Sequence, residues 1–250
     1  MKKIMILYQN KYVLQKAKEL GYSIVLVSES NTPKNLEYAD YFRCIPYSDL
    51  DACINFAKEM KIDGVLAATD VTVIPASYIA SKLNLPSISF ETAKLIKNKY
   101  DWQKVLESNN INNLPQSFLI ENIEQLNKIK SEIHFPVIIK PNDGAGSVGV
   151  SKASNIKELV KNCTSAIGLS KSKKVLIETY ISGNEYSVEA FVYNNIISIL
   201  GITHKIMNTP PSHTTLWHII PSGLNTHLET LLKAMVFKVI GLLGITSRFC

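Results

Sequence analysis

The segment Phe135–Val150 constrains the fold most strongly, because an apolar run in it leads directly into a glycine-rich loop. The run Val137–Ile139 predicts a buried strand. It ends at Lys140, and the following loop contains three glycines, Gly144, Gly146 and Gly149. Such a loop lets backbone N–H groups approach a ligand, and a neighbouring lysine is suited to hold a polyphosphate. A hairpin turn explains the same residues, so this segment alone leaves both interpretations open.

Residues 1–90 alternate between short apolar runs and helical patterns, which predicts βαβ units and a parallel, Rossmann-like sheet. Four runs are expected to be strands: Ile4–Leu7, Ser23–Val27, Tyr41–Ile45 and Val65–Ala68. Parallel sheets bind ligands beyond the carboxyl ends of their strands, so the loops Tyr8–Tyr12 and Thr69–Val71 are candidates. The turn after the first strand contains no glycine, which argues against an NAD-type dinucleotide site.

The pattern changes near residues 100–114, where we expect a domain boundary. Four further strands are predicted around two helices, an α+β arrangement: Gln116–Ile120, Val137–Lys140, Gly149–Lys152 and Val175–Tyr180. Glu185–Tyr193 and Ile196–Ile202 then predict a hairpin. Thr203–Gly223, which includes Pro210-Pro211, is expected to be irregular, and a final helix should run from Leu224 to about Leu243.

Charge and hydropathy limit the classes of partner. The chain has 250 residues and a net charge of +6 that comes from dispersed lysines. Its densest basic stretch is Lys171–Lys174, too little for the concentrated patch that nucleic acid normally requires. A basic balance suits an anionic small molecule. Because no apolar run approaches the roughly 18–20 residues of a membrane span, we expect no membrane partner and a cytoplasmic location.

The cysteines and histidines show no metal-ligand spacing. No CxxC pair occurs among the four cysteines, Cys44, Cys53, Cys163 and Cys250, so buried free thiols are expected rather than a disulfide framework or a metal site. His213 and His218 lie five residues apart in a segment rich in threonine and proline. This spacing does not favour zinc, and no metal site is predicted.

Two acidic residues follow the glycine loop at a distance that allows both to reach one cleft. Glu178 follows the apolar run Val175–Ile177, and Glu185 comes after a Gly183-Asn184 turn. A strand, turn and second strand would bring the two carboxylates together, where they can accept hydrogen bonds from an amino group or a sugar diol. Each acid alone is equally consistent with a solvated or ion-paired side chain.

Taken together, these motifs resemble those of ATP-grasp proteins of the carboxylate–amine ligase type. The resemblance is carried by NKYDWQKVLESNNINNLPQSF at 98–118, IIKPNDGAGSVGV at 138–150 and VLIETYISGNEYSVEAFV at 175–192. It implies a Rossmann-like pre-ATP-grasp domain at 1–97, an N-terminal grasp lobe with the phosphate loop at 98–181, and a C-terminal lobe at 182–250.

The resemblance also implies how ATP would be held. Lys99 and Lys140 would contact the nucleotide phosphates, and Glu178 would accept from the adenine amino group. Glu185 would bind the ribose. The phosphate loop and the hinge beside the adenine ring would be formed by two short runs: Gly144, Ala145, Gly146, Ser147 and Val148, and Thr179, Tyr180 and Ile181. A substrate carboxylate would attack the γ-phosphate to give an acylphosphate, which an amine then captures, with Mg²⁺ neutralising the phosphates.

Three departures from the family pattern qualify this expectation. Gln103 stands where the family usually has arginine, and the stretch 213–222 lacks the acid that often precedes Gly-His. The family's metal ligands would fall beyond Cys250, so the resemblance implies a C-terminal lobe that is incomplete and a truncated form with impaired catalysis. An open sheet edge would favour association into a homo-oligomer.

Three functions are compatible with these features. The first is an ATP-dependent ligase that joins a small-molecule carboxylate to an amine or amino acid. The second is a non-catalytic nucleotide-binding or interaction protein that retains the grasp lobes. The third is a grasp enzyme that uses bicarbonate, as biotin carboxylase does, although its additional domains are not evident in the sequence.

Overall fold

The structure, a computed structural model, describes residues 1–208 and 214–246. Pro210-Pro211 and His213 lie outside the described residues, as do Arg248 and Cys250. The chain divides into two compact units, one consisting mainly of Met1–Lys94 and the other of Leu95–Val192 and Ile196–Gly244. The assignment of 98–181 and 182–250 to separate lobes stays a prediction.

The first unit is a parallel sheet with helices on both faces, which confirms the predicted fold class of this part. Its strands follow the order β3-β2-β1-β4. Their bounds are β1 Lys3–Leu7, β2 Ser23–Ser28, β3 Tyr41–Cys44 and β4 Gly64–Ala67. The helices of this unit are α1 Lys11–Glu19, α2 Leu50–Met60 and α3 Val73–Leu83.

Strand alternation in the first unit divides the core into two layers. Met5 and Val25 point to the side where Phe56 of α2 and Ile79 of α3 pack. Their neighbours in sequence face the layer that contains Leu14 of α1. Because both faces are covered, these strands read as continuous apolar runs rather than as alternating patterns.

The second unit begins with a helix pair and a four-stranded antiparallel sheet. Helix α4, Phe90–Lys97, belongs to the boundary region, and α5 runs over Lys99–Ser108. The sheet order is β5-β8-β6-β7. Its strands and the two helices on it are β5 Ser117–Ile120, α6 Leu126–Ile129, β6 Val137–Pro141, β7 Ser151–Ala153, α7 Ile156–Leu169 and β8 Val175–Thr179.

The two faces of this sheet have different roles. Val137, Ile139 and Ile177 are buried in the core that α6 and α7 cover. The intervening side chains, including those of Lys140 and Glu178, project from the opposite face, because successive residues of a strand alternate. This opposite face carries two of the predicted site residues, Lys140 and Glu178.

The second sheet of this unit is larger than the sequence indicates. Its order is β11-β10-β9, with β9 at Glu185–Tyr193, β10 at Ile196–Met207 and β11 at Thr215–Ile219. The expectation that Thr203–Gly223 is irregular is therefore wrong. β10 continues through Met207, and Lys205 pairs with His218 of β11, so an antiparallel partner supplies the order that the composition does not indicate.

Helix α8, Thr226–Leu242, completes the described elements. It begins at the N-cap Asn225, whose side chain accepts a hydrogen bond from the Leu228 amide, as N-caps typically do. Within residues 1–208 and 214–246, none of the helices is both long and apolar enough to cross a bilayer.

Candidate nucleotide-binding site

The glycine loop after β6 depends on glycine at Gly149. Its φ is +76°, a left-handed conformation that side chains with a Cβ rarely adopt. A Cβ at this position would lie 2.9 Å from Pro141 Cγ and 3.0 Å from Leu169 Cδ1. Gly146 also has a positive φ, +63°, but has no atom within 4 Å of such a Cβ. The far end of the loop therefore packs tightly, and its tip is open.

Asn142 ties this loop to the start of α5. It is 3% exposed, and its Nδ2 donates to Asn98 Oδ1 at 2.9 Å while its Oδ1 accepts from the Tyr100 amide at 3.0 Å. Asn98 is the N-cap of α5 and also accepts from the Asp101 amide. The first turn of α5, which carries Lys99, is thus fixed against the loop.

Lys99 lies at the loop itself. Its Nζ donates to the carbonyl oxygens of Gly144 and Asn142. A lysine ammonium has three donors on a flexible stem, so the same group can be shared between loop carbonyls and an anion. This arrangement places a positive charge against the backbone of the loop.

Asp143 anchors the base of the loop on its other side. Its carboxylate accepts from Ser170 Oγ at 3.0 Å and from the Ser172 amide at 2.7 Å. Partial burial alone would raise the pKa of Asp143, but the hydrogen bonds from Ser172 and Ser170 outweigh it, and the pKa lies below its usual 3.8. Asp143 is therefore a charged anchor of the loop.

Glu178 and Lys140 form an ion pair on the open face of the four-stranded sheet. Lys140 Nζ lies 2.5 Å from Glu178 Oε2, and the two side chains are 21% and 11% exposed. Glu178 lies between Ile138 of β6 and Ser117 of β5 in the sheet register. The alternative interpretation of Glu178 as an ion-paired residue thus holds in this structure, but its partner is the second candidate lysine.

The hinge residues after β8 are braced from both sides. The Thr179 amide donates to Gln116 O and the Tyr180 amide donates to Pro136 O, each at 3.0 Å. The ammonium of Lys152 lies 3.7 Å from the centroid of the Tyr180 ring, within the range of a cation–π interaction. The backbone of Thr179 and Tyr180 is thus held in place by both neighbouring segments.

Glu185, at the start of β9, pairs with Lys205 of β10. Their atoms Oε2 and Nζ are 2.9 Å apart, and Glu185 remains 51% exposed. An exposed carboxylate fixed by one neighbour keeps acceptor capacity for a hydroxyl group. Both residues lie on the same face of the three-stranded sheet.

The structure brings all twelve predicted site residues to the walls of two cavities. One cavity, of about 170 Å³, is lined by Lys99, Lys140 and the loop residues Gly144–Val148. The other, of about 310 Å³, is lined by Lys140, Glu178, Thr179–Ile181 and Glu185. Lys140, Ser147 and Val150 line both. The site thus joins a basic part, lined by two lysines and the glycine loop, to a part with apolar walls and acidic acceptors.

Several wall residues were missed by the sequence analysis. Pro115, Ile138, Lys205 and Met207 line the larger cavity, and Asn142 organises the loop. No motif marks them, because their roles depend on strand pairing and on the approach of α5. Lys205 and Met207 lie in the part of β10 that was expected from the sequence to be irregular.

The described residues do not form a metal site. Within 1–208 and 214–246, no group of three or more His, Cys, Asp or Glu side chains could hold a metal ion. Cys44, Cys53 and Cys163 are free cysteines; Cys53 and Cys163 are buried, whereas Cys44 is only partly buried, so the expectation of a buried thiol is wrong for Cys44. Burial raises the pKa of Cys53 to about 11 and that of Cys163 to about 12, so both are protonated and unreactive near neutral pH.

Family models match two parts of the chain. The ATP-grasp domain matches residues 133–249, and the ATP-grasp N-terminal domain matches residues 14–87. Among curated proteins, a D-alanine–D-alanine ligase from Flavobacterium psychrophilum is 33% identical over 116 residues, which are 46% of this chain and 35% of that protein.

Two further comparisons cover most of the chain. The carbamoyl phosphate synthase large chain of Caldanaerobacter subterraneus subsp. tengcongensis is 22% identical over 216 residues, 85% of this chain and 20% of that protein. The crystal structure of an L-amino acid ligase from Bacillus licheniformis aligns with a TM-score of 0.85 at 22% identity, covering 99% of this chain and 61% of that one. At this identity the structural likeness shows the fold alone. The chain spans less than two thirds of each of these proteins.

Proposed function

We propose that this chain, which belongs to the ATP-grasp superfamily, binds ATP at the two joined cavities and activates a carboxylate for capture by an amine. One observation carries the proposal. The two lysines, the glycine loop, the hinge and the two acids, predicted separately along the sequence, line cavities that share Lys140. The lysines and the glycine loop suit the phosphates of a nucleoside triphosphate, and the hinge and the two acids suit its base and ribose.

The larger cavity suits the adenosine part. Ile138 and Met207 supply apolar surface, and Glu178 supplies a carboxylate acceptor. We propose that Glu178 accepts a hydrogen bond from the adenine amino group and that the backbone of Thr179–Ile181 lies along the ring edge. Glu185, which is half exposed beside Lys205, would accept from the ribose hydroxyls.

The smaller cavity suits the phosphates. Lys99 and Lys140 line it together with the loop residues Gly144–Val148. Ammonium groups and inward-pointing backbone amides both favour anionic oxygen. Lys140 would exchange its contact with Glu178, and Lys99 its contacts with loop carbonyls, for phosphate oxygens. The loop would then close over the phosphates and exclude water.

The proposed reaction proceeds in two steps. A carboxylate oxygen of the substrate attacks the γ-phosphorus while the bond from that phosphorus to the bridging oxygen breaks, so that ADP leaves and an acylphosphate forms. The amine nitrogen then attacks the acyl carbon, the bond to phosphate breaks, and the amine loses a proton to solvent. The residues of this chain contribute positioning and electrostatic stabilisation of phosphate charge. The His, Cys, Asp and Glu side chains of the described residues do not fit a magnesium site.

Nucleotide binding is tested by calorimetric titration of the 250-residue chain with ATP. Lys140→Met should weaken ATP binding about tenfold or more, because charge-assisted hydrogen bonds to phosphate are lost. Lys16→Met is the matched control, since Lys16 is an exposed lysine of α1 whose Nζ lies 3.2 Å from Glu19 Oε2. Equal affinity of Lys140→Met and the unaltered chain would contradict the proposed site.

Ligase activity is tested separately by ADP release with pooled carboxylates and amines. The proposal predicts ADP release that requires both a carboxylate and an amine. ATP binding without ADP release in any pool would contradict ligation and favour a nucleotide-binding protein. ADP release that depends on bicarbonate alone would favour the third function, an ATP-grasp enzyme that uses bicarbonate.

A further inference from the structure

Ser117 has a hydroxyl group that is left without a hydrogen-bond partner among residues 1–208 and 214–246. The residue is 8% exposed, and its Oγ forms no hydrogen bond to any of the described residues. Buried hydroxyl groups are nearly always hydrogen-bonded, because an unmade bond costs free energy. A buried donor of this kind therefore requires an explanation.

The sheet register places Ser117 directly opposite Glu178. β5 and β8 are antiparallel, and Ser117 pairs with Glu178. Side chains of directly opposed residues project from the same face, with Cβ atoms about 4.5–5.5 Å apart. Rotation about the single Cα–Cβ bond of serine moves its hydroxyl among three staggered positions, so the hydroxyl can turn toward the side chain of Glu178 on the same face.

Glu178 needs such a donor once Lys140 is engaged elsewhere. The carboxylate is only 11% exposed, and its Oε2 contacts Lys140 Nζ at 2.5 Å. A carboxylate that loses its partner in such a place is strongly destabilised. Lys140 also lines the phosphate cavity, so phosphate oxygens compete with Glu178 for the same ammonium group.

A second buried side chain holds the backbone just before Ser117. Gln103 of α5 is 1% exposed, and its Nε2 donates to the carbonyl oxygen of Pro115 at 2.6 Å. Pro115 lines the larger cavity and lies two residues before Ser117. The segment that leads into β5 is thus held against α5, while the pairing of β5 with β8 places Ser117 beside Glu178.

We propose that Ser117 is a positioning residue that donates to Glu178 when nucleotide draws Lys140 toward the phosphates. Ser117 then keeps the carboxylate oriented, so that its other oxygen accepts from the amino group of the base. Through Glu178, Ser117 determines how well the site distinguishes a purine with an exocyclic amino group from one without it. This inference rests on the proposed role of Glu178 in binding adenine.

The test compares two nucleotides in the full chain, ATP and purine riboside 5′-triphosphate, which has hydrogen in place of the amino group. The unaltered chain should prefer ATP. Ser117→Ala should raise the Kd for both nucleotides, because the phosphates of both draw Lys140 away from Glu178. It should raise the Kd for ATP by about tenfold more, the usual effect of one hydrogen bond to a charged group, because the carboxylate is no longer oriented toward the amino group. Ser117→Thr, which retains the hydroxyl, should retain the preference.

A purely structural role for Ser117 predicts a different result. Ser117→Ala would then weaken the binding of both nucleotides equally, or leave the binding of both unchanged. Either outcome overturns the inference. If Ser117→Ala fails to fold, Ser117→Cys keeps the side chain in place with a weaker donor. Ser117→Cys should reduce the preference for ATP in the same direction, and an unchanged preference overturns the inference.

Glu178→Leu, which removes the acceptor, separates this inference from the proposed function. If the unaltered chain shows no preference for ATP, or if Glu178→Leu leaves the preference intact, the proposed role of Glu178 fails and the inference fails with it. If Glu178→Leu abolishes the preference while Ser117→Ala preserves it, only the role of Ser117 is refuted.

Discussion

At the scale of single residues, two glycines of the glycine loop after β6 allow a matched comparison. Gly146→Ala should cost about 1 kcal/mol of unfolding free energy, because alanine is strained at φ +63° but meets no atom. Gly149→Ala should cost a further ~1–3 kcal/mol, since its Cβ would lie 2.9 Å from Pro141 Cγ. Chemical denaturation measures both values, and equal costs would contradict the packing described for Gly149.

Asp143 gives a prediction for pH at the same scale. Its pKa is lower in the folded chain than the usual 3.8, so the unfolded chain binds the proton more tightly. The stability that Asp143 contributes is therefore complete above pH 3.8 and is lost as the pH falls through the folded pKa. Asp143→Asn has no charge to lose.

We expect the difference in unfolding free energy between the unaltered chain and Asp143→Asn to be largest near pH 6 and to shrink below about pH 4. Denaturant titrations at a series of pH values measure this difference. A difference that stays constant down to pH 3 would show that the carboxylate is not the anchor of the loop.

Some site residues could be predicted singly but not in their pairings. Lys140 and Glu178 are recognisable from the strands that carry them, yet the sequence does not indicate that they contact each other. That contact depends on the register of β6 with β8, which connects residues almost forty positions apart. Ser117 carried no signal at all, because its importance comes from its place opposite Glu178.

At the scale of elements, Asn142 joins α5 to the loop, and its replacement should affect both stability and binding. Asn142→Ala removes the bonds to Asn98 and the Tyr100 amide and should cost about 2 kcal/mol of unfolding free energy. Because the first turn of α5 carries Lys99, the ATP affinity should fall several-fold as well. Denaturation and calorimetric titration of the same variant give the two values.

The matched control is Asn155→Ala, at the N-cap of α7. Asn155 accepts from the Glu158 amide, so its loss should cost about 1 kcal/mol with no effect on ATP affinity. A loss of affinity in Asn155→Ala equal to that in Asn142→Ala would mean that general destabilisation, rather than the link to Lys99, lowers the affinity.

Elements with a strong local pattern are also those that the sequence predicts well. The buried strands of the parallel sheet are continuous apolar runs, and α8 has a clear N-cap and apolar stripe. β11 was missed because Thr215–Ile219 mixes polar and bulky apolar residues and follows a proline pair. Its pairing with β10 is a tertiary effect that no local pattern encodes.

At the scale of the whole molecule, the fold class follows from the change in pattern along the chain. Alternating strands and helices give the parallel sheet of the first unit, and short strands with tight turns give the antiparallel sheets of the second. All twelve site residues lie in the second unit. Nucleotide should therefore protect a few separate segments of that unit, which are brought together only by folding.

Hydrogen–deuterium exchange of the full chain, with and without ATP, tests this central claim most directly. We predict slower exchange on ATP binding in residues 142–150 and 178–185, and slower exchange in 142–150 alone when inorganic tripolyphosphate replaces ATP. Protection that is absent, that lies elsewhere in the chain, or that is the same for ATP and tripolyphosphate would contradict the proposed nucleotide site.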